Sequence, residues 1–195
     1  MKLGLFGGSF DPIHTGHLRA LQAAALELSL DQILVIPNPF PPHKPAEHLS
    51  AYHHRREMVR LALRDYPNME LATIEEESEG PAYTIDTVRK VRSRLAISCE
   101  DCWLILGADV LLEFESWKEP ENLFRDCQVA VLPRPGFELH RAPERFLAHA
   151  RILHTPEIAI SSTEIRRFVA AGESIGGLVP PAVEAYIQTH NLYRS

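Results

Sequence analysis

The sequence predicts a doubly wound α/β fold: a mainly parallel sheet with helices on both faces. Two observations carry this. Short, nearly continuous apolar runs, the mark of strands buried on both faces, alternate with amphipathic stretches. The glycine- and proline-bearing segments follow directly after those runs, where a parallel sheet presents its ligand-binding loops.

The elements follow in order. Leu3-Gly4-Leu5-Phe6 reads as the first strand, and Leu18, Leu21, Ala25 and Leu28 mark a helix over 17–29. Ile33–Ile36 is the second strand, and 52–65 the next helix. Leu71–Ile74 is a weaker strand, followed by a helix over 84–95. Trp103–Leu106 and Val129–Leu132 supply two further buried strands. Glu157–Ile160 is the expected final strand, with 137–156 as an excursion before it. Helices over 162–171 and 181–189 close the chain. This is a Rossmann-like order. All 195 residues are expected to form one domain with a helical C-terminal portion from about 162.

Composition narrows the function. The formal charge of -6 argues against broad nucleic-acid binding, which needs a basic face, but leaves room for a small anionic substrate. No apolar run approaches the roughly 18–20 residues of a membrane span. The N-terminus reads as a strand, with no signal-peptide pattern, so the cytoplasm is the expected compartment. Cys99 and Cys102 form a CxxC without a second pair, so ordinary thiols are expected there in preference to a zinc site.

The densest chemistry lies in residues 7–17. Gly7-Gly8-Ser9-Phe10 ends a strand and feeds a helix N-terminus, where unpaired N–H groups and the helix dipole favour an anion. His14 and His17, three residues apart, face one spot across a helical turn. They could be helix caps, or one half of a metal site lacking a third ligand. The preferred reading is a pair of donors that stabilise charge on a phosphoryl group. On that reading His17 is no packing residue, and its loss should cost little stability. A second anion site is expected at Ser161-Ser162-Thr163-Glu164-Ile165-Arg166, where hydroxyls open a helix one turn ahead of a guanidinium. The loop 37–45 is stiffened by prolines and ends in His43-Lys44.

Taken in order, these residues resemble the HxGH nucleotidyltransferase superfamily, and within it the bacterial nicotinate-mononucleotide adenylyltransferases. The resemblance rests on Gly8-Ser9-Phe10-Asp11-Pro12, His14-Thr15-Gly16-His17 and Ile160–Arg166. Finer marks are Pro41-Pro42-His43-Lys44, Tyr83-Thr84-Ile85-Asp86-Thr87, Gly107-Ala108-Asp109, Trp117, Arg134-Pro135-Gly136 and Leu178-Val179-Pro180-Pro181.

The resemblance implies adenylyl transfer from ATP to nicotinate mononucleotide by in-line displacement, releasing pyrophosphate in NAD biosynthesis. His14, His17, Lys44 and Arg166 would be the catalytic groups. Gly8, Ser9, Phe10, His43, Ser161, Ser162 and Thr163 would hold the phosphates. Asp109 would meet ribose or simply cap a helix, and Arg134 would reach the ATP end or solvent. Tyr83, Thr84 and Trp117 would hold the pyridine mononucleotide. Magnesium is implied on the ATP polyphosphate, held by substrate oxygens and water, with no protein metal ligands. ATP and nicotinate mononucleotide are thus the expected partners, with no nucleic acid or membrane.

Overall fold

The computed structural model describes residues 1–41, 49–76, 80, 82–133, 142–155 and 160–194. Six strands form one parallel sheet: β1 (Leu3–Gly8), β2 (Gln32–Pro37), β3 (Met69–Leu71), β4 (Cys102–Gly107), β5 (Gln128–Leu132) and β6 (Ala150–Ile152). Their spatial order is β3-β2-β1-β4-β5-β6, with every neighbouring pair parallel. The chain therefore winds outward from β1 in one direction, then from β4 in the other.

The strands alternate side chains between two cores, as a pleat of period two requires. Phe6, Ile33, Val35, Ile105 and Ala130 face one cluster, which holds the apolar stripes of α1 (Thr15–Leu28), α2 (Tyr52–Ala62), α7 (Ser162–Ala170) and α8 (Pro181–Thr189). Leu5, Leu34, Ile36, Leu104, Leu106 and Val131 face the other. There they meet α3 (Thr84–Leu95), α4 (Ala108–Leu112), α5 (Pro120–Asp126) and α6 (Glu144–Leu147). Helices thus cover both faces, as the alternation predicts.

Two strands depart from expectation. The weak third strand lies at Met69–Leu71, a few residues earlier than Leu71–Ile74. The last strand is Ala150–Ile152, inside the segment expected to be an excursion. It is short and carries an exposed Arg151 that pairs with Glu27 at 3.8 Å, so it has no continuous apolar run to betray it. Ile160 lies in no strand, and 156–159 fall outside the described residues. Cys99, Cys102 and Cys127 form no disulfide; Cys102 and Cys127 are buried and Cys99 is partly buried. Burial raises the Cys102 thiol to about 11, which keeps it protonated at neutral pH.

The switch in winding direction falls between β1 and β4. Their ladder pairs Leu3–Leu5 with Cys102–Leu104, and both strands continue past it to Gly8 and Gly107. That divergence opens the crevice where sheets of this type bind ligands.

Candidate active site

β1 delivers the chain to the crevice at Gly8. Phe10 then turns back through a left-handed backbone, φ 49°, and lays its buried ring over Gly8. A Cβ on Gly8 would meet that ring at 3.0 Å, so glycine is needed for this packing.

The helix α1 opens on two imidazoles. His14 is its N-cap, and its Nδ1 accepts the backbone N–H of His17 at 3.3 Å. The Nδ1 of His17 accepts the backbone N–H of His14 at 3.2 Å. This is a capping box built from histidines rather than from Ser and Glu. The rings stack with centroids 3.6 Å apart and 21° between planes. Phe6 and Phe10 flank His17 at 6.0 and 5.4 Å. An accepting Nδ1 carries no proton, so in each ring the proton sits on Nε2. Caps and paired donors are therefore not rival readings. One observation does correct expectation: His17 caps and packs, so its loss costs stability as well as any chemistry.

The second expected anion site adjoins the first. Ser161 caps α7, its Oγ accepting the Glu164 N–H at 3.2 Å and donating to Glu164 Oε2 at 2.8 Å. Ser162 Oγ donates to the Pro12 carbonyl at 2.9 Å. Arg166 Nη1 donates to the Asp11 carbonyl at 2.7 Å, and its Nη2 to Thr163 Oγ1 at 3.3 Å. The N-terminus of α7 is thus docked on the loop that feeds α1, across some 150 residues of chain. Arg167 is exposed and stacks on Phe168.

Sequence reasoning missed Arg55. It is 2 % exposed, and its guanidinium reaches carbonyls of Ser9 (2.7 Å), Asn38 (2.9 Å), Pro39 (3.3 Å) and Ser50 (3.0 Å). The signal was present: Arg55 shares the i, i+3, i+4, i+7 stripe of α2 with Met58, Val59 and Ala62. An arginine on an apolar stripe is a buried polar group in need of partners. His43 and Lys44 lie in 42–48, and Arg134 in 134–141, outside the described residues.

Of the expected pyridine-side residues, Tyr83 and Thr84 lie at the start of α3, and Trp117 follows the turn after α4. Tyr83 is the N-cap residue of α3 and supplies no side-chain cap to it; Thr84 opens the helix. Lys118, next to Trp117, reaches Asp86 Oδ2 at 2.8 Å and places its ammonium 4.8 Å from the Tyr83 ring centroid. Trp117 is partly buried and packs on Phe114 with ring centroids 5.0 Å apart. Asp109 is not a cap: Gly107 holds that position, and a Cβ there would meet Asp109 Oδ1 at 2.6 Å. A further acid lies behind α3. Glu75 is buried and accepts from Thr87 Oγ1 at 2.9 Å; burial raises its carboxyl to about 7.

Among the described residues, no group of three or more His, Cys, Asp or Glu is arranged to hold a metal ion. Nor is any helix among them long and apolar enough to cross a membrane.

The chain is similar to known proteins along its whole length. The family model described as Cytidylyltransferase-like matches residues 5–168. A Thermus thermophilus protein described as "Probable nicotinate-nucleotide adenylyltransferase" is 43% identical, with 100% of each chain covered. A Salinibacter ruber protein of the same description is 39% identical, covering 100% of this chain and 98% of its own. Among solved structures, the Plasmodium falciparum nicotinic acid mononucleotide adenylyltransferase complexed with NaAD superposes with a TM-score of 0.80 at 24% identity. It covers 98% of this chain and 96% of its own. At that identity the likeness speaks to the fold. With its histidine-capped helix and the matching α7 docked beside it, the chain belongs to the cytidylyltransferase-like family, among the nicotinate-nucleotide adenylyltransferases.

Proposed function

We propose that this chain, acting as one domain over 1–195, transfers the adenylyl group of ATP to nicotinate mononucleotide. A 5′-phosphate oxygen of the mononucleotide attacks the α-phosphorus of ATP in line. The bond to the bridging oxygen breaks, and pyrophosphate leaves as nicotinate adenine dinucleotide forms. No protein nucleophile enters; positioning and charge stabilisation carry the rate.

One observation carries the reading. The histidine-capped start of α1 and the Ser162–Arg166 segment of α7 are bonded to the same loop, through Pro12 and Asp11. On this reading two helix N-termini, two Nε2–H donors and a guanidinium would converge on a polyphosphate. His14 and His17 would donate to oxygens of the reacting phosphoryl group. Gly8, Ser9 and Phe10 would offer backbone contacts, with His43 and Lys44 adding charge from the loop after β2. Arg166, Ser161, Ser162 and Thr163 would steady the leaving pyrophosphate. The hydroxyls of Ser161 and Ser162 and the Arg166 guanidinium are engaged within the protein here, so they would exchange those bonds for phosphate oxygens. Asp109 and Arg134 would serve the ribose and the ATP end.

Trp117 would stack on the pyridine ring, and the backbone at Tyr83–Thr84 would receive its carboxylate. The ammonium of Lys118 above Tyr83 supports an acid there over an amide. Magnesium would arrive on ATP, held by phosphate oxygens and water, where it would neutralise phosphate charge. The net charge and free thiols suit a cytoplasmic enzyme that handles small anions and neither nucleic acid nor membrane.

The test is pyrophosphate release with ATP and a panel of nicotinate mononucleotide, nicotinamide mononucleotide and phosphopantetheine. The acid mononucleotide should show much the highest kcat/KM. Equal use of acid and amide would remove the specificity while leaving the chemistry. Silence with the whole panel would favour an adenylate-sensing module.

A further inference from the structure

We propose that Arg55, Asp11 and Tyr193 form a polar strut that positions the loop between β1 and α1, making the C-terminal tail part of the catalytic machinery. Arg55 and Tyr193 would act as positioning residues, through the loop and not on substrate. The proposal deepens the adenylyl-transfer reading and rests on it for its catalytic consequence.

Asp11 is the node. It is 2 % exposed, and all its polar atoms named here point to different parts of the chain. Its Oδ1 accepts the Tyr193 hydroxyl at 2.7 Å, and its Oδ2 the Ser50 N–H at 3.2 Å. Its own carbonyl accepts Arg166. Arg55 holds the preceding turn through Ser9, and ties it to Asn38 and Pro39 after β2 and to Ser50 before α2. Two loops, the second held near both of its ends, are thus gathered by one guanidinium. A buried guanidinium lacking full solvation needs a nearby counter-charge, and Asp11 is the carboxylate that favours its charged form.

Tyr193 comes from the far end of the chain, beyond the family match that ends at residue 168. Its backbone is left-handed, φ 63°, a conformation bulky side chains rarely adopt. Asn191 is left-handed too, φ 50°. The tail bends twice in four residues and brings a phenol to Asp11. Burial and the Asp11 charge both disfavour its ionisation, so it stays a donor. Three residues after Asp11 stands His14. A strut holding Asp11 sets where the imidazole pair stands relative to α7. Small errors in such placement are costly: a displacement of about 1 Å can slow chemistry by about a hundredfold.

Tyr193→Phe removes only the hydroxyl and keeps the ring. Two readouts are taken on the full chain: amide hydrogen exchange across Ser9–Thr15, and kcat with KM for ATP, normalised to folded protein well below the melting temperature. Exchange in that loop should speed by about tenfold, and kcat should fall by about tenfold or more with KM for ATP changed less. Arg55→Lys, which cannot span four carbonyls, should act in the same direction; if it fails to fold, Tyr193→Phe decides alone. Unchanged exchange would overturn the strut. Faster exchange with unchanged kcat would overturn its catalytic role. A wild-type protein inert towards the whole substrate panel would sink the adenylyl-transfer reading and the catalytic role with it, while the exchange measurement would still decide the strut.

Discussion

His14 and His17 hold each other's backbone amides: each Nδ1 accepts the N–H of the other residue, at 3.3 and 3.2 Å, while the rings stack. One helical turn therefore does two jobs. The inner nitrogens cap α1, and the same bonds set the tautomer that makes each Nε2 a donor. On the adenylyl-transfer reading stability and chemistry share these side chains, and they can be separated by choosing the substitution.

His14→Asn and His17→Gln each keep an acceptor suited to its capping position while removing the imidazole. Both should melt closer to wild type than the alanine variants do, and should lose kcat by on the order of 10²–10³, the usual loss for a transition-state donor. His14→Ala should lose the same activity and, with the cap gone, about 1 kcal/mol of stability, or roughly 2–4 °C in Tm. Thermal melts beside steady-state kinetics check this. Full activity in His17→Gln would remove the imidazole from the mechanism.

Glu75 makes stability depend on pH. Its carboxyl titrates near 7 in the folded protein against an ordinary 4.5, because burial disfavours the anion more than the Thr87 bond favours it. The folded state thus binds the proton more tightly. Its stabilising contribution is complete below pH 4.5 and is lost as pH rises through 7. Glu75→Gln stays neutral and can still accept from Thr87. It should gain on the order of 1–3 kcal/mol over wild type at pH 8 and nothing at pH 4.5. Urea midpoints across that range measure the difference. A constant difference at all pH values would contradict it.

A second pH effect should arise where α2 meets α8. His54 Nδ1 lies 3.0 Å from the Tyr186 hydroxyl, and His190 stacks on Tyr186 with its ring centroid 5.4 Å from that of His54. His53 adjoins His54 at 4.0 Å, and Glu57 is the acid acting on Tyr186. Burial first, then the other two histidines, lowers the affinity of His54 for a proton. The sign is opposite to that of Glu75: stability is present above 6.5 and lost as pH falls through the lower folded value. His54→Asn should flatten the acid limb of the melting curve between pH 7 and 5. An unchanged limb would place the acid sensitivity elsewhere.

What could be read from the sequence divides along physical lines. Strands such as Ile33–Ile36 and Val129–Leu132 are legible because burial on both faces demands unbroken apolar runs. β6 is not, because an edge strand of three residues, ending Arg151-Ile152, needs no such run. The histidine pair and the Ser161–Arg166 segment are legible because helix starts and anion donors have local spacing. Their docking on Asp11 and Pro12 is not, since it depends on contacts 150 or more residues apart. Arg55 and Tyr193 illustrate the same limit. The stripe of α2 marks Arg55 as buried, but its backbone-carbonyl partners and the Asp11 partner of Tyr193 leave no trace in the sequence.

The pyridine side offers the last test, through Trp117 and Lys118. Trp117 packs on Phe114 and borders the second core, so Trp117→Ala should lose stability as well as a stacking surface. The diagnostic is therefore a ratio within one variant: KM for the mononucleotide should rise well above KM for ATP. Equal changes in both would reject stacking. Lys118→Met separates charge from stacking. It removes the Asp86 pair and the ammonium over Tyr83 while leaving Trp117 in place. The ammonium is substantially exposed and screened by solvent, so acid-over-amide preference should narrow only modestly. A preference lost altogether would mean that Lys118, and not the backbone at Tyr83–Thr84, carries the discrimination. A preference untouched would mean the ammonium serves only to hold Asp86.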